Sequence, residues 1–272
     1  LPRAVLSVLA GLSFGLAGSA FQTMLRNTLA SPDIIGISYS ASAAAVVGIV
    51  FFSLSGPAVS SLSIAVSLGV ALAIYVLSFK RGVNGTRLIL VGIGIAALLE
   101  SVVAYTLSEA GEWNMQEAIR WLSGTVNGAT WSQIMPALVA LPLLAAVLWT
   151  SARDLEALRM GDDVAGGLGV NVTRTRLMVL VSATILVAFA TAAAGPISFV
   201  AFLAAPLAAQ LAGRGRSLLL PAALTGALLV LVADYVGQFL LPSRYPVGVI
   251  TGALGAPFLI YLIVRSNRLG AG

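Results

Sequence analysis

The chain of 272 residues contains neither cysteine nor histidine. These absences exclude disulfides, thiol nucleophiles, and zinc sites built from cysteine or histidine ligands. A Ser-His-Asp triad cannot form without histidine, so hydrolase chemistry of that kind is excluded as well. The protein therefore cannot use thiol redox chemistry, and it cannot use histidine as the base that activates a serine nucleophile.

Charge is also scarce. Charged residues make up 9% of the chain, against about 25% in soluble domains. The single lysine, Lys80, follows Phe79, whereas a Walker A loop needs glycine before its lysine. The few carboxylates are too scattered for glycosidase chemistry. We predict that the chain is not an enzyme and binds no cofactor, so active transport by it would draw energy from a coupled ion or a partner.

Apolar residues are abundant instead, at 59% of the chain with a mean hydropathy of +1.01. Runs of about 20 apolar residues, each long enough to cross a ~30 Å hydrocarbon core, recur along the whole length. We predict an all-α polytopic membrane protein, with one transmembrane domain over residues 1–272. The predicted spans are 4–25, 34–54, 57–79, 88–108, 131–151, 175–195, 197–212, 217–241 and 247–265.

Basic residues divide unequally between the two sides that nine spans define. One set of loops holds only Arg3, Arg120 and Arg244. Cytoplasmic loops are enriched in lysine and arginine, so the other set and the C-terminus are predicted to be cytoplasmic. The same rule accounts for the positive net charge, so the charge is no indication that the protein binds nucleic acid. Leu1 then starts outside with no signal peptide, which predicts a further helix before it. The cytoplasmic set comprises Arg26, Lys80, Arg81, Arg87, Arg153, Arg159, Arg174, Arg176, Arg214, Arg216, Arg265 and Arg268.

Residues 153–176 form a polar segment between two apolar spans and carry eight of the chain's charges. Asp162 is a plausible N-cap of a short helix, Asp163 suits the positive end of the helix dipole, and Gly169 suits a left-handed C-terminus. The apolar side of this helix is predicted from Leu158, Met160, Val164 and Leu168. We predict that the segment docks a cytoplasmic partner; the alternative is an ordinary solvated loop.

Two acids, Glu100 and Asp234, fall inside predicted spans. Intramembrane acids are costly and mark either a proton or cation site or a hydrogen bond to a neighbouring helix or aqueous vestibule. The first alternative would make the chain an ion-coupled secondary transporter. The longest outside loop, 109–130, is predicted to contain a short interfacial helix at 115–122 beside tryptophans typical of an aromatic belt.

Five blocks of residues resemble one known family, the permease subunits of iron-siderophore, haem and cobalamin ABC importers (the FecCD-like, type II group). They are residues 1–3 (LPR), Gln22 with 26–38 (RNTLASPDIIGIS), 121–124 (WLSG), 158–170 (LRMGD to LGV) and 246–258 (PVGV to GAPF). Each block is weak alone, but all five occur in order at suitable spacing. The resemblance implies the transmembrane domain of a type II ABC importer, with ten helices in the full protomer and about nine here.

The resemblance also implies partners and residue roles. A second permease subunit, two ATPase subunits that hold ATP and Mg, and an external solute-binding protein are expected. Arg3 matches a docking arginine for the binding protein, and Arg244 is a candidate for the second, since Gln238 stands at that position. Ser38 and Tyr39 are expected near the same cytoplasmic end of the pathway as Gly85 and Thr86, which narrow it. Coupling to the ATPase is expected at Leu158, Gly161, Asp162, Asp163, Val164, Leu168 and Gly169.

Departures from the family pattern refine the substrate hypothesis. Thr28 replaces the usual proline, and Pro206-Leu207 stands where many members have Pro-His. Residues 199–206 look closer to the ferric-siderophore branch, which works as heterodimers. We therefore predict a ferric-siderophore permease of the bacterial cytoplasmic membrane. A haem or cobalamin permease, an ion-coupled transporter and a structural scaffold are the alternatives.

Overall fold

The computed structural model describes residues 1–33, 35–78, 85–213 and 217–269, with side chains as far as Tyr261. Regular structure in these ranges is helical. The helices are α1 (Pro2–Leu25), α2 (Ile37–Phe52), α3 (Pro57–Ser78), α4 (Gly85–Ser108), α5 (Glu112–Leu122), α6 (Trp131–Thr150), α7 (Ala152–Arg159), α8 (Asp162–Gly167), α9 (Val172–Ala194), α10 (Val200–Ala212), α11 (Leu219–Tyr235, continued by a π-helical turn Val236–Leu240) and α12 (Val247–Leu269).

All nine predicted spans contain a helix, and the short helix predicted in 109–130 is present as α5. Six of the described helices, α1, α3, α4, α6, α9 and α11 with its π turn, are long and apolar enough to cross a membrane. The topology count also used Lys80, Arg81, Arg214 and Arg216, which lie outside the described residues. The side chains of Arg265 and Arg268 lie outside them too.

Helix α1 is the centre of the bundle, because 78% of its most apolar window is buried. Its glycines let neighbouring backbones approach closely, which is how helices associate in lipid. A Cβ on Gly11 would lie 2.5 Å from the Ala227 Cα of α11, and one on Gly18 would overlap the Ala201 carbonyl of α10. Small residues therefore fix the order in which α10, α1 and α11 pack.

Helix α4 lies at the periphery of the helix bundle, with only 17% of its most apolar window buried. Leu90, Leu98 and Tyr105 are among its exposed side chains. An apolar helix that the chain itself does not cover must face lipid or another subunit.

Two connections are irregular, and each leads from a long helix into a helix that is too short to count as a membrane span. The α1–α2 loop (residues 26–36) contains Arg26 at φ 52° and Gly36 at φ 92°, and the α9–α10 loop (residues 195–199) contains Gly195 at φ 74° and Phe199 at φ 65°. Gly36 packs against Ala96, midway along α4. The α1–α2 loop therefore folds back into the bundle, which explains why α2 begins three residues later than predicted. The α9–α10 loop likewise delays the start of α10 by three residues.

Candidate functional site

A cavity of about 580 Å³ lies between the two irregular loops. Helix α2 brings the hydroxyl groups to it, α4 brings a carboxylate, and α10 and α12 bring apolar side chains. The cavity is thus formed where two short helices begin, and its wall combines carboxylates with aromatic rings. Its lining includes Asp33, Ser38, Tyr39, Glu100, Phe199, Phe202 and Leu259.

The Asp33 carboxylate is held in place by hydroxyl donors. The Ser31 Oγ donates to Asp33 at 3.2 Å, and the Ser38 Oγ donates to its second oxygen. Ser38 is buried and hydrogen-bonds Asp33, whereas Tyr39 is 40% exposed and lines the cavity.

The four predicted gate residues do not lie together. Gly85 is the first residue of α4, and Glu100 comes fifteen residues later in the same helix, which corresponds to about 22 Å along the axis. Ser38 and Tyr39 share their cavity with Glu100. The expectation that all four lie near one end was therefore wrong, because the α1–α2 loop carries the start of α2 into the bundle.

The polar segment 153–176 folds as two short helices, α7 and α8. Gly161, not Asp162, is the N-cap of α8, at φ 115° and ψ 157°, so Asp162 is its first helical residue. A side chain is strained at that φ, which explains the glycine. Gly169 has the predicted left-handed conformation, at φ 85°.

Exposure separates the predicted coupling residues into two groups. Leu158 belongs to α7 and is completely buried in the core, so its predicted place on a docking surface was wrong. Met160, Val164 and Leu168 are exposed, and Leu168 is 63% exposed. Asp163 is exposed beside them. The exposed apolar surface of this segment is therefore formed by Met160 before α8, Val164 within it and Leu168 at its C-terminal end.

Asp162 is the acidic partner of two arginines. Its Oδ1 accepts a hydrogen bond from Arg176 Nη2 at 2.9 Å and lies 3.3 Å from Arg26 Nη2. The Arg176 side chain is only 8% exposed. Arg176, which was counted among the predicted cytoplasmic basic residues, turns inward to the start of α8. Arg159 pairs locally with Glu156 at 2.9 Å.

Arg3 and Asp234 form a further ion pair that the sequence did not reveal. Arg3 Nε and Nη2 each donate to one Asp234 carboxylate oxygen at 2.8 Å. Asp234 therefore bonds a neighbouring helix, as one of the two sequence alternatives proposed. The pair joins residues 231 positions apart, and no local pattern reports such a distance. Arg244 is exposed in the connection between α11 and α12.

Three comparisons with known proteins agree. A model described as the FecCD transport family matches residues 1–265. The chain is 38% identical to the ferric enterobactin transport system permease protein FepG of Escherichia coli (strain K12), over 98% of this chain and 82% of FepG. It is 36% identical to the iron(3+)-hydroxamate import system permease protein FhuG of Bacillus subtilis (strain 168), over 98% and 82%. The chain belongs to the FecCD transport family.

A solved structure supports the same assignment. A chain described as an inward-facing conformation of a metal-chelate type ABC transporter superimposes with a TM-score of 0.89 at 26% identity, over 97% of this chain and 86% of that one. The predicted fold class, the transmembrane domain of a type II ABC importer, is confirmed.

Two blocks that carry the family resemblance meet the backbone at the end of α9 and the start of the α9–α10 loop. Gly124 of the WLSG block has φ 60°, and a Cβ there would overlap the Pro196 carbonyl. The Gly248 amide of the PVGV block donates to the Gly124 carbonyl at 3.1 Å, and the Thr125 amide donates to the Ala194 carbonyl at 2.7 Å. These FecCD blocks therefore include glycines because three backbones come into contact, and the contact supports the α9–α10 loop that lines the cavity.

Proposed function

We propose that this FecCD protein is the permease subunit of an ATP-driven importer that moves a ferric siderophore across the bacterial cytoplasmic membrane. The named relatives FepG and FhuG, matched over 98% of this chain, support that function. The chain spans the membrane several times, with its C-terminus in the cytoplasm, as the distribution of basic residues favours.

The cavity between the irregular loops is the observation that carries the proposal. Irregular backbone is tolerated at membrane depth only where protein buries it or where it lines a water-filled space. Interrupted helices of this kind line solute sites in transporters. The α1–α2 and α9–α10 loops both border the cavity of about 580 Å³. We assign that cavity to the translocation pathway, with Ser38 and Tyr39 on its wall and Gly85 and Thr86 nearer the cytoplasmic gate.

The energy for transport comes from partners. Two ATPase subunits bind ATP and Mg, and this chain binds no cofactor of its own. A ligand shifts a conformational equilibrium only through different affinities for the two states. Because ATP binds the ATPase, it must act on this chain through the surface that contacts the ATPase. The exposed side chains of Met160, Val164 and Leu168 form that surface, and Gly161, Asp162, Asp163 and Gly169 give it its shape.

Two further partners complete the importer. A second permease subunit, a different chain, covers the exposed apolar face of α4 and closes the pathway. An external solute-binding protein delivers the ferric siderophore and docks at Arg3 and Arg244. Charged contacts of this kind steer association and set its orientation.

Substitution of Leu168 by arginine tests the proposal. The complex is purified with its cognate ATPase and binding protein, and uptake of radiolabelled ferric enterobactin, a ferric hydroxamate, haem and cobalamin is measured in proteoliposomes. A charge placed within an apolar contact removes a central part of its binding energy, so ATPase association and uptake should fall by roughly tenfold or more.

Leu211→Arg is the matched control, because it adds the same charge to another exposed leucine, at the end of α10. Wild-type association and uptake in Leu168→Arg would reject α8 as the ATPase contact. Uptake of haem or cobalamin, with no uptake of either ferric siderophore, would reject the ferric siderophore as the substrate.

A further inference from the structure

Asp162 joins three separate parts of the chain at the first residue of α8. Its carboxylate meets Arg176 of α9 at 2.9 Å and Arg26, at the end of α1, at 3.3 Å. Exposed ion pairs contribute little, and the Arg26–Asp162 pair is of that kind, with side chains 44% and 40% exposed. Arg176, in contrast, is only 8% exposed, and a charge so deeply placed requires its acidic partner Asp162. The start of α8 is therefore held by a charged contact that is stronger than a surface pair.

Arg26 has a backbone conformation that is uncommon for a residue other than glycine. It caps α1 in the left-handed conformation, at φ 52° and ψ 35°. Non-glycine residues persist in that region where their surroundings hold them there. Arg26 is also the first residue of the α1–α2 loop, which continues to Ser31 and Asp33 on the wall of the cavity. The loop that lines the pathway thus begins at the residue that reaches Asp162.

Gly161 brings the start of α8 next to Arg26. A Cβ built on Gly161 would lie 3.5 Å from Arg26 Nη1, so the Arg26 guanidinium lies directly beside the start of α8 and a larger residue at 161 would touch it. Behind them, Leu155, Leu158 and Ala165 are buried and tie α7 and α8 to the bundle. Motion of α8 therefore cannot leave Arg26 unaffected.

We infer that Asp162 is a positioning residue that transmits motion of α8 to the α1–α2 loop through Arg26, with Arg176 as the pivot on α9. This inference rests on the proposed contact between α8 and the ATPase. Asp162 is consequently not part of the docking surface, although it lies in the docking helix. Its carboxylate faces the bundle, and the apolar side chains of α8 face the partner.

The absence of cysteine makes a direct test possible. A fluorophore on Thr28→Cys, an exposed position in the α1–α2 loop, reports the loop in the complete importer with its cognate ATPase and binding protein. Mg-ATP should change its emission in the otherwise wild-type complex. Asp162→Asn and Arg26→Gln should retain ATPase association but lose most of that change, and uptake of radiolabelled ferric enterobactin or a ferric hydroxamate should fall roughly tenfold.

Two controls separate transmission from folding. Glu156→Gln removes a carboxylate from the same segment that pairs only with the nearby Arg159 among the described contacts, and it should leave the ATP-dependent change intact. Asp162→Glu retains the charge and should restore a substantial part of it. Arg26→Gln keeps the Asp162–Arg176 pair, so it tests the link even if Asp162→Asn fails to fold.

Each alternative outcome has a distinct meaning. A wild-type fluorescence change in both Asp162→Asn and Arg26→Gln would overturn the inference. Absence of any ATP-dependent change in a wild-type complex that hydrolyses ATP would overturn it too. Loss of ATPase association in Asp162→Asn would make Asp162 a docking residue and leave the proposed function standing. Failure of the wild-type chain to bind any ATPase would reject the proposed function itself.

Discussion

Arg3 is a docking candidate whose charge is already paired within the chain. Its guanidinium forms two hydrogen bonds with Asp234, and the two side chains are 27% and 14% exposed. An acidic group on a binding protein must therefore compete with Asp234 or approach the remaining face of Arg3. Arg244 is exposed, so it is the more accessible of the two docking candidates.

Substitution Asp234→Asn should destabilise the protein. Charge-assisted hydrogen bonds contribute about 1.5–3 kcal/mol each at most, and partial exposure reduces that contribution. We expect a loss of about 1–2 kcal/mol, seen as a fall of a few degrees in Tm in detergent. Glu109→Gln removes an exposed acid and should leave Tm unchanged. The exchanged pair Arg3→Asp with Asp234→Arg should recover part of the loss; an unchanged Tm in Asp234→Asn would show that the pair contributes nothing.

At the scale of single residues, the sequence indicated which side chains matter better than it indicated which residues they contact. Glu100 and Asp234 stood out because acids are rare in apolar spans, and both have the polar surroundings expected of them. The positions of Arg26 and Arg176 around Asp162 could not be predicted, since Arg26 is distant in the chain and Arg176, although only 14 positions away, lies in a different helix. Such contacts depend on which helices pack together, and one sequence without its relatives carries no signal for that.

Among elements, α1 and α11 depend most on small residues at their contact. A Cβ on Gly226 would overlap the Gly11 carbonyl and lie 3.0 Å from the Gly15 Cα. Neither backbone group can move aside without separating the two helices. The apolar side of α1 is therefore matched to α11 by shape, because lipid offers no hydrophobic driving force between helices.

Substitution Gly226→Val should prevent the folded bundle from forming. Overpacking costs about 1–3 kcal/mol in cores that can relax, and contact with backbone leaves less room for relaxation. We expect loss of the monodisperse peak in size-exclusion chromatography and a lower yield from membranes. Gly69→Val is the control, because no atom lies within 4 Å of the Cβ position in α3. Equal behaviour of the two variants would refute the close packing of α1 and α11.

The helices themselves were largely predictable, and their irregular ends were not. Long apolar runs fix where spans lie, so α3, α4 and α6 match the prediction within a few residues. The start of α2 was placed too early, because Ile35 is apolar like the helix that follows although it belongs to the α1–α2 loop. Hydropathy cannot distinguish a buried loop from a buried helix.

At the scale of the whole molecule, α4 is the least buried of the described long apolar helices. Helix α4 presents apolar side chains away from the chain, and the cavity opens beside its Glu100. A pathway completed by a second permease subunit would enclose that acid. Its role would then be to line the passage, and the energy would still come from the ATPase.

Transport should accordingly depend on ATP and not on a proton gradient. In proteoliposomes that contain the complete importer, Glu100→Gln should retain ATP-dependent uptake of radiolabelled ferric siderophore, within about threefold of wild type, since partly exposed acids contribute modestly. A protonophore should leave wild-type uptake unchanged. Abolition of uptake by the protonophore, with ATP still present, would instead favour an ion-coupled transporter.

The Arg3–Asp234 pair has a consequence for biosynthesis. Asp234 lies in an apolar segment that is made 231 residues after its partner, and an acid in such a segment opposes insertion into the bilayer. Helix α1 is then already in place, with Arg3 in its first turn. The early helix supplies the countercharge that the late helix needs, so the order of synthesis matches the order in which the membrane can accept the two segments.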